Sequence, residues 1–239
     1  MKPARLTALL LLFFTFTLQG VCQDKPAHSA VKPEPREGNW MKRHESFNAR
    51  VAEGNVDLIF IGDSITQGWE GSGKNVWQKH YGTRNAVNLG IGGDRTQHVL
   101  WRLDNGNIKG ISPKLAVMMI GTNNAGSNTP QEIFEGNQAI VQKLQKTLPE
   151  TKILLLGIFP RGENANDPRR QVNEKTNSML AKLADGKQVH YLDIGKKFLN
   201  DDGVLTREVM PDLLHLSEKG YTIWAEAIEP SVKKLLGES

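Results

Sequence analysis

A single cysteine, Cys22, stands among 239 residues, so no disulfide framework can be built. No H-E-x-x-H pattern and no Cys/His cluster occurs, and the sequence calls for no metal and no other cofactor. Long hydrophobic runs are also missing. The longest, over 6–18, falls short of the roughly 20 residues that cross a bilayer, so no membrane-spanning segment is expected in the mature chain. Charge of one sign is scarce: 30 Lys and Arg stand against 26 Asp and Glu, a formal charge of +4 with no basic block. So mild an excess gives no argument for nucleic acid, and no nucleic-acid partner is expected.

Two glycine-rich stretches fail as nucleotide motifs. Gly68 to Asn75 spells G-x-x-x-x-G-K, but Asn75 stands where a P-loop needs a hydroxyl for magnesium. Gly90-Ile91-Gly92-Gly93-Asp94-Arg95 carries Arg95 in place of the third glycine of a dinucleotide fingerprint.

What is present begins with a secretory pattern over 1–22. Lys2 and Arg5 lead, the apolar run follows, and Gly20 and Cys22 offer small residues before Gln23. This pattern implies a secreted or periplasmic protein. A lipoprotein attached at Cys22 is disfavoured by Val21 before it, and a retained anchor is the other alternative. Cleavage would remove the only thiol and, with Lys2 and Arg5, two positive charges. Residues 23–38 are rich in Pro, Lys and Glu without apolar period and read as a flexible linker. The folded domain is expected over 39–239. It opens on a helix whose Trp40, His44, Phe47 and Val51 recur at helical spacing.

With 38% apolar residues, the remainder suits one α/β domain. Apolar runs over 56–61, 86–89, 115–120, 153–159 and 189–194 predict five strands. Helical patterns over 74–81, 96–103, 130–148, 170–183 and 217–236 alternate with them, and Thr129, Pro130 and Glu132 form a capping box. Alternation of this kind predicts a parallel sheet between two helix layers, a three-layer sandwich. Ligands in such sheets bind at the carboxyl ends of the strands.

Polar or glycine-rich motifs sit at those ends. Gly62-Asp63-Ser64-Ile65-Thr66 follows the first run, Gly90-Ile91-Gly92-Gly93 the second, and Gly121-Thr122-Asn123-Asn124 the third. Asp212-Leu213-Leu214-His215 follows the fifth. A serine after a strand more often only caps the next helix, and a lone Asp-x-x-His is more often a surface turn. The set together supplies a nucleophile (Ser64), a base (His215) and a carboxylate to orient it (Asp212). Backbone N–H groups at Ser64 and Gly93 and the Asn123 amide are the expected oxyanion donors.

These four blocks resemble the SGNH (GDSL-type) hydrolases, named for a catalytic Ser, Gly, Asn and His. Within that family the likeness is greatest to the catalytic subunits of intracellular platelet-activating-factor acetylhydrolase. It runs from about Asn39 to the C-terminus and includes His98-Val99-Leu100-Trp101-Arg102-Leu103 and Pro160-Arg161-Gly162-Glu163. The resemblance implies a flavodoxin-like sheet of order 2-1-3-4-5 and hydrolysis of short acyl esters through an acyl-enzyme on Ser64. By position, Ile65, Thr122 and Leu214 would stand near the acyl pocket. The expected substrate is an acetylated carbohydrate or small ester. The alternatives are a lipid ester, as in platelet-activating-factor acetylhydrolase or a lysophospholipase, and a catalytically silent binding protein on the same fold. Oligomeric state stays open, a homodimer included.

Overall fold

The computed structural model describes residues 27–238, so the secretory pattern and the first residues of the expected linker lie outside the description. Five parallel strands, β1 (Leu58–Gly62), β2 (Ala86–Gly90), β3 (Leu115–Met119), β4 (Lys152–Leu156) and β5 (Val189–Leu192), form one sheet in the order β2-β1-β3-β4-β5. Each overlaps the apolar run that predicted it. β1 and β3 are buried at every position, as central strands covered on both faces must be, and this is why their sequences are continuous rather than alternating.

Among the described residues, seven α-helices surround the sheet: α1 (Asn39–Ala52), α2 (Ser64–Gln67), α3 (Lys74–Tyr81), α4 (Thr96–Asp104), α5 (Pro130–Thr147), α6 (Pro168–Leu180) and α7 (Glu218–Leu236). Helix α4 packs on α5 and α5 on α6, while α3 packs on α7, which also meets β3 and β4. The chain thus builds outward from β1 in one direction to β2 and in the other to β3, β4 and β5. This reversal opens a crevice at the carboxyl ends of β1 and β3. The capping box at α5 forms: Glu132 N–H donates to Thr129 Oγ1 at 3.3 Å, and Thr129 N–H donates to Glu132 Oε2 at 2.9 Å. None of the helices is long and apolar enough to cross a membrane among the described residues.

The flexible linker expected over 23–38 is corrected for its described part. Ser29–Val31 form a 3-10 turn with Ala30 fully buried. Thr96 Oγ1 donates to the Ala30 carbonyl at 2.8 Å, Asn128 Nδ2 donates to Ser29 Oγ at 3.0 Å, and Arg36 Nη1 donates to the Gly92 carbonyl at 2.8 Å. Composition missed this because the segment is ordered by polar bonds to distant loops, which leave no apolar period to read.

Candidate active site

The nucleophile candidate is placed by a turn that only glycine permits. A Cβ on Gly62, the last residue of β1, would stand 2.1 Å from Thr66 Oγ1 and 2.6 Å from the Met119 carbonyl oxygen. Next, Asp63 caps α2, its Oδ1 accepting the Ile65 N–H at 3.0 Å. Ser64 is the first helical residue, so its own N–H has no partner within the helix. Helix α7 fixes the turn from below, Tyr221 donating its hydroxyl to the Ile65 carbonyl at 2.7 Å. Ser64 Oγ then lies 2.8 Å from His215 Nε2.

The Asp-x-x-His spacing folds back on itself. Asp212 Oδ1 accepts the backbone N–H groups of Leu214 and His215 at 3.1 and 2.7 Å, while Oδ2 lies 2.6 Å from His215 Nδ1. Burial raises the Asp212 carboxyl, but the hydrogen bonds from the His215 ring and backbone outweigh it and hold the carboxyl below its ordinary value. Leu213 between them takes φ +61°, a left-handed conformation that costs a branched residue about 1–2 kcal/mol. Gly162 N–H, donating to the Leu213 carbonyl at 2.9 Å, holds it there. The pair is solvent-reachable, with the His215 and Asp212 side chains 45% and 57% exposed.

The second and third motifs arrive at the same edge. Gly92 N–H donates to Gln67 Oε1 at 2.7 Å, which ties the glycine loop to α2. Gly93 takes φ +75°, where a side chain would be strained. Asn123 donates one amide hydrogen to the Asp94 carbonyl at 2.9 Å. A cavity of about 420 Å³ is bordered by Gly93, Asn123, Thr122 and Leu214, with Arg95, Arg161 and Arg169 around it. Thr122 and Leu214, expected near the acyl pocket, thus border one cavity with Gly93 and Asn123. Ile65 does not join them: it is 2% exposed and packs in the hydrophobic core. Consecutive helical residues point about 100° apart, so with Ser64 turned toward His215 the next side chain can face the core. A larger cavity, of about 630 Å³, lies between α1, α3 and β2 and contains none of these residues.

Residues 60–223 match the family model for GDSL-like lipases and acylhydrolases. The chain belongs to that family. Membership makes it a carboxylic ester hydrolase. Its curated relatives include platelet-activating factor acetylhydrolase IB subunit alpha1 of Homo sapiens, 38% identical over 87% of this chain and 91% of the relative. Subunit alpha2 of Rattus norvegicus is 39% identical over 84% of this chain and 86% of the relative. Among solved structures, an acetylxylan esterase from Geobacillus stearothermophilus, crystallised as a catalytic mutant, superposes with a TM-score of 0.61 at 21% identity. It covers 78% of this chain and 96% of its own, a likeness of fold.

Three features of this family member's site were not read from the sequence. Asp63 is fully buried, and burial pushes its carboxyl up to about 7 against the Ile65 hydrogen bond, with Asp94 nearby adding to the rise. Its Oδ2 has no hydrogen-bond partner. Asp94, also fully buried, accepts Trp40 Nε1 at 2.6 Å and Arg102 Nε at 2.9 Å, and so carries the backbone that holds Asn123. Arg161 donates to the Thr122 hydroxyl at 3.2 Å. Of these, only the Asp94–Arg102 pair left a trace, as two opposite charges in adjoining motifs. Nothing local marks them as buried.

Proposed function

We propose that this chain hydrolyses short-chain acyl esters, acetyl above all, through a covalent acyl-enzyme on Ser64. The hydroxyl attacks the ester carbonyl carbon while His215 Nε2 takes its proton. Asp212 accepts the Nδ1–H, fixing the tautomer and stabilising the imidazolium. The carbonyl oxygen becomes an oxyanion, met by the Ser64 and Gly93 N–H groups and the remaining Asn123 N–H. Collapse expels the alcohol, which takes the proton from His215. Water then repeats the sequence, and the acid leaves.

The observation that carries this reading is the continuous chain of contacts from Ser64 Oγ to His215 to Asp212, at 2.8 and 2.6 Å. An acetylated carbohydrate or small ester reached outside the cell is the substrate favoured by the secretory pattern at the N-terminus. A lipid ester is the second reading, favoured by relatives 38 to 39% identical whose name is platelet-activating factor acetylhydrolase.

The test is labelling with an organophosphonate followed by peptide mapping. The label is expected on Ser64, and Ser64→Ala should neither label nor hydrolyse p-nitrophenyl acetate while keeping its unfolding midpoint. Labelling at another serine, or full activity in the variant, would overturn the mechanism. No hydrolysis of any ester by the wild type would leave a binding protein on the same fold.

A further inference from the structure

We infer that Arg95, Arg161 and Arg169 form an anion-binding subsite beside Asn123 and Gly93, and that the preferred ester carries a carboxylate or phosphate group close to its acyl group. This deepens the esterase reading and rests on it.

Most other arginines among the described residues are paired with a carboxylate. Of the ten in the described residues, six lie within 4 Å of a carboxylate, among them Arg84 with Glu229 and Arg102 with Asp94. Three of the other four border one cavity, the one that reaches Asn123 and Leu214. They come from separate places in the chain: Arg95 precedes α4, Arg161 follows β4, and Arg169 lies in the first turn of α6. A structural role for one unpaired arginine needs no ligand. Three converging from separate elements repel one another, and a shared anion relieves that.

The lining of the cavity contains no Asp or Glu. The nearest carboxylates act on Arg161 from a distance, and among the described residues none forms an ion pair within 4 Å with any of the three arginines. Asp167 caps α6, accepting the N–H groups of Arg169 and Arg170 at 2.9 Å each. Asp212 is held by His215 at 2.6 Å, and Asp63 is closed off inside the turn. Burial first, and then Arg169 beside it, lower the Arg161 pKa, and the more distant carboxylates of Asp167, Asp63 and Asp212 only partly oppose them. Two hydrogen bonds to Thr122, at 3.2 Å to Oγ1 and 3.3 Å to the carbonyl, fix the Arg161 guanidinium next to Asn123. A planar fork held in this way suits a carboxylate or phosphate.

Two sources share this chemistry, the uronate of an acetylated acidic sugar and the phosphate of an acetylated glycerol phosphate. The experiment measures kcat/KM of the full chain on matched pairs: methyl O-acetylglucuronoside against methyl O-acetylglucoside, and acetylglycerol phosphate against acetylglycerol. In at least one pair the anionic ester should be preferred by about ten- to a hundred-fold, the range that charged hydrogen bonds supply. The pair that shows it names the source. Arg161→Gln and Arg169→Gln should each bring that ratio down by about tenfold, and 0.5 M salt, an amount of roughly that order, should reduce it in the wild type. Ratios at or below about one, with p-nitrophenyl acetate still hydrolysed, would remove the subsite and leave the esterase. A ratio unchanged in both variants would place the anion away from these arginines. Failure on every ester, p-nitrophenyl acetate included, would remove the esterase reading and the subsite with it.

Discussion

Asn123 donates one of its two amide hydrogens to the carbonyl of Asp94 at 2.9 Å, joining the loop after β3 to the loop after β2. One donor anchors the side chain and the other is left for the cavity. In the proposed mechanism, an amide held rigid in this way meets the oxyanion of the tetrahedral intermediate with no reorganisation at the moment of reaction. Asn123→Ala should therefore lower kcat by about a hundred- to a thousand-fold while leaving KM nearly unchanged. Steady-state kinetics on p-nitrophenyl acetate decides it: an unchanged kcat with a raised KM assigns the amide to ground-state binding instead.

Asp63 should make stability fall as pH rises. Its carboxyl, ordinarily near 3.8, sits at about 7 in the fold, so between these values the folded chain holds a proton that the unfolded chain releases. The slope is negative in that window, by up to about 1.4 kcal/mol per pH unit, and levels off above about 7. Asp63→Asn keeps the acceptor for the Ile65 N–H and carries no titrating group. The variant should therefore gain on the wild type in urea midpoint from pH 5 to 7. Equal midpoints across that window would mean that Asp63 ionises freely in the fold.

Removing Arg102 should be costly, because Asp94 would remain buried without its closest cationic partner. Arg102→Met is expected to lose about 3–5 kcal/mol of unfolding free energy. The double variant with Asp94→Asn should lose less than the sum of the two single ones. Additive losses in urea titrations would show that the two residues act independently.

Acyl length follows from the lining of the cavity. Leu214 is the one aliphatic side chain there, alongside Thr122 and three arginines. Each methylene buried against apolar surface gains about 0.8 kcal/mol, and this surface offers little to gain it from. On p-nitrophenyl esters, kcat/KM should be highest for acetate and fall beyond butyrate. Octanoate as the best substrate would replace the short-acyl reading with a lipase.

Much of this protein was legible before folding, because the relevant signals are local. The continuous apolar runs at β1 and β3 follow from burial on both faces, and Thr129-Pro130-x-Glu132 starts α5 with bonds between residues three apart. The same holds for the Asp212–His215 turn, whose spacing of three lets one carboxylate bind both the ring and the backbone of one histidine. Three of the motifs could be gathered at one sheet edge because parallel strands all present their carboxyl ends there.

What only the tertiary structure decided depends on contacts that composition does not encode. Residues 28–36 look unstructured in sequence, yet dock through hydrogen bonds to loops more than fifty residues away. Ile65 adjoins Ser64 in sequence but is turned into the core by the helix that begins there. The burial of Asp63 and the convergence of Arg95, Arg161 and Arg169 arise the same way. A charge in a sequence carries no mark of its surroundings, and the energy of a charge is set by how much water and how many counter-charges the fold leaves around it.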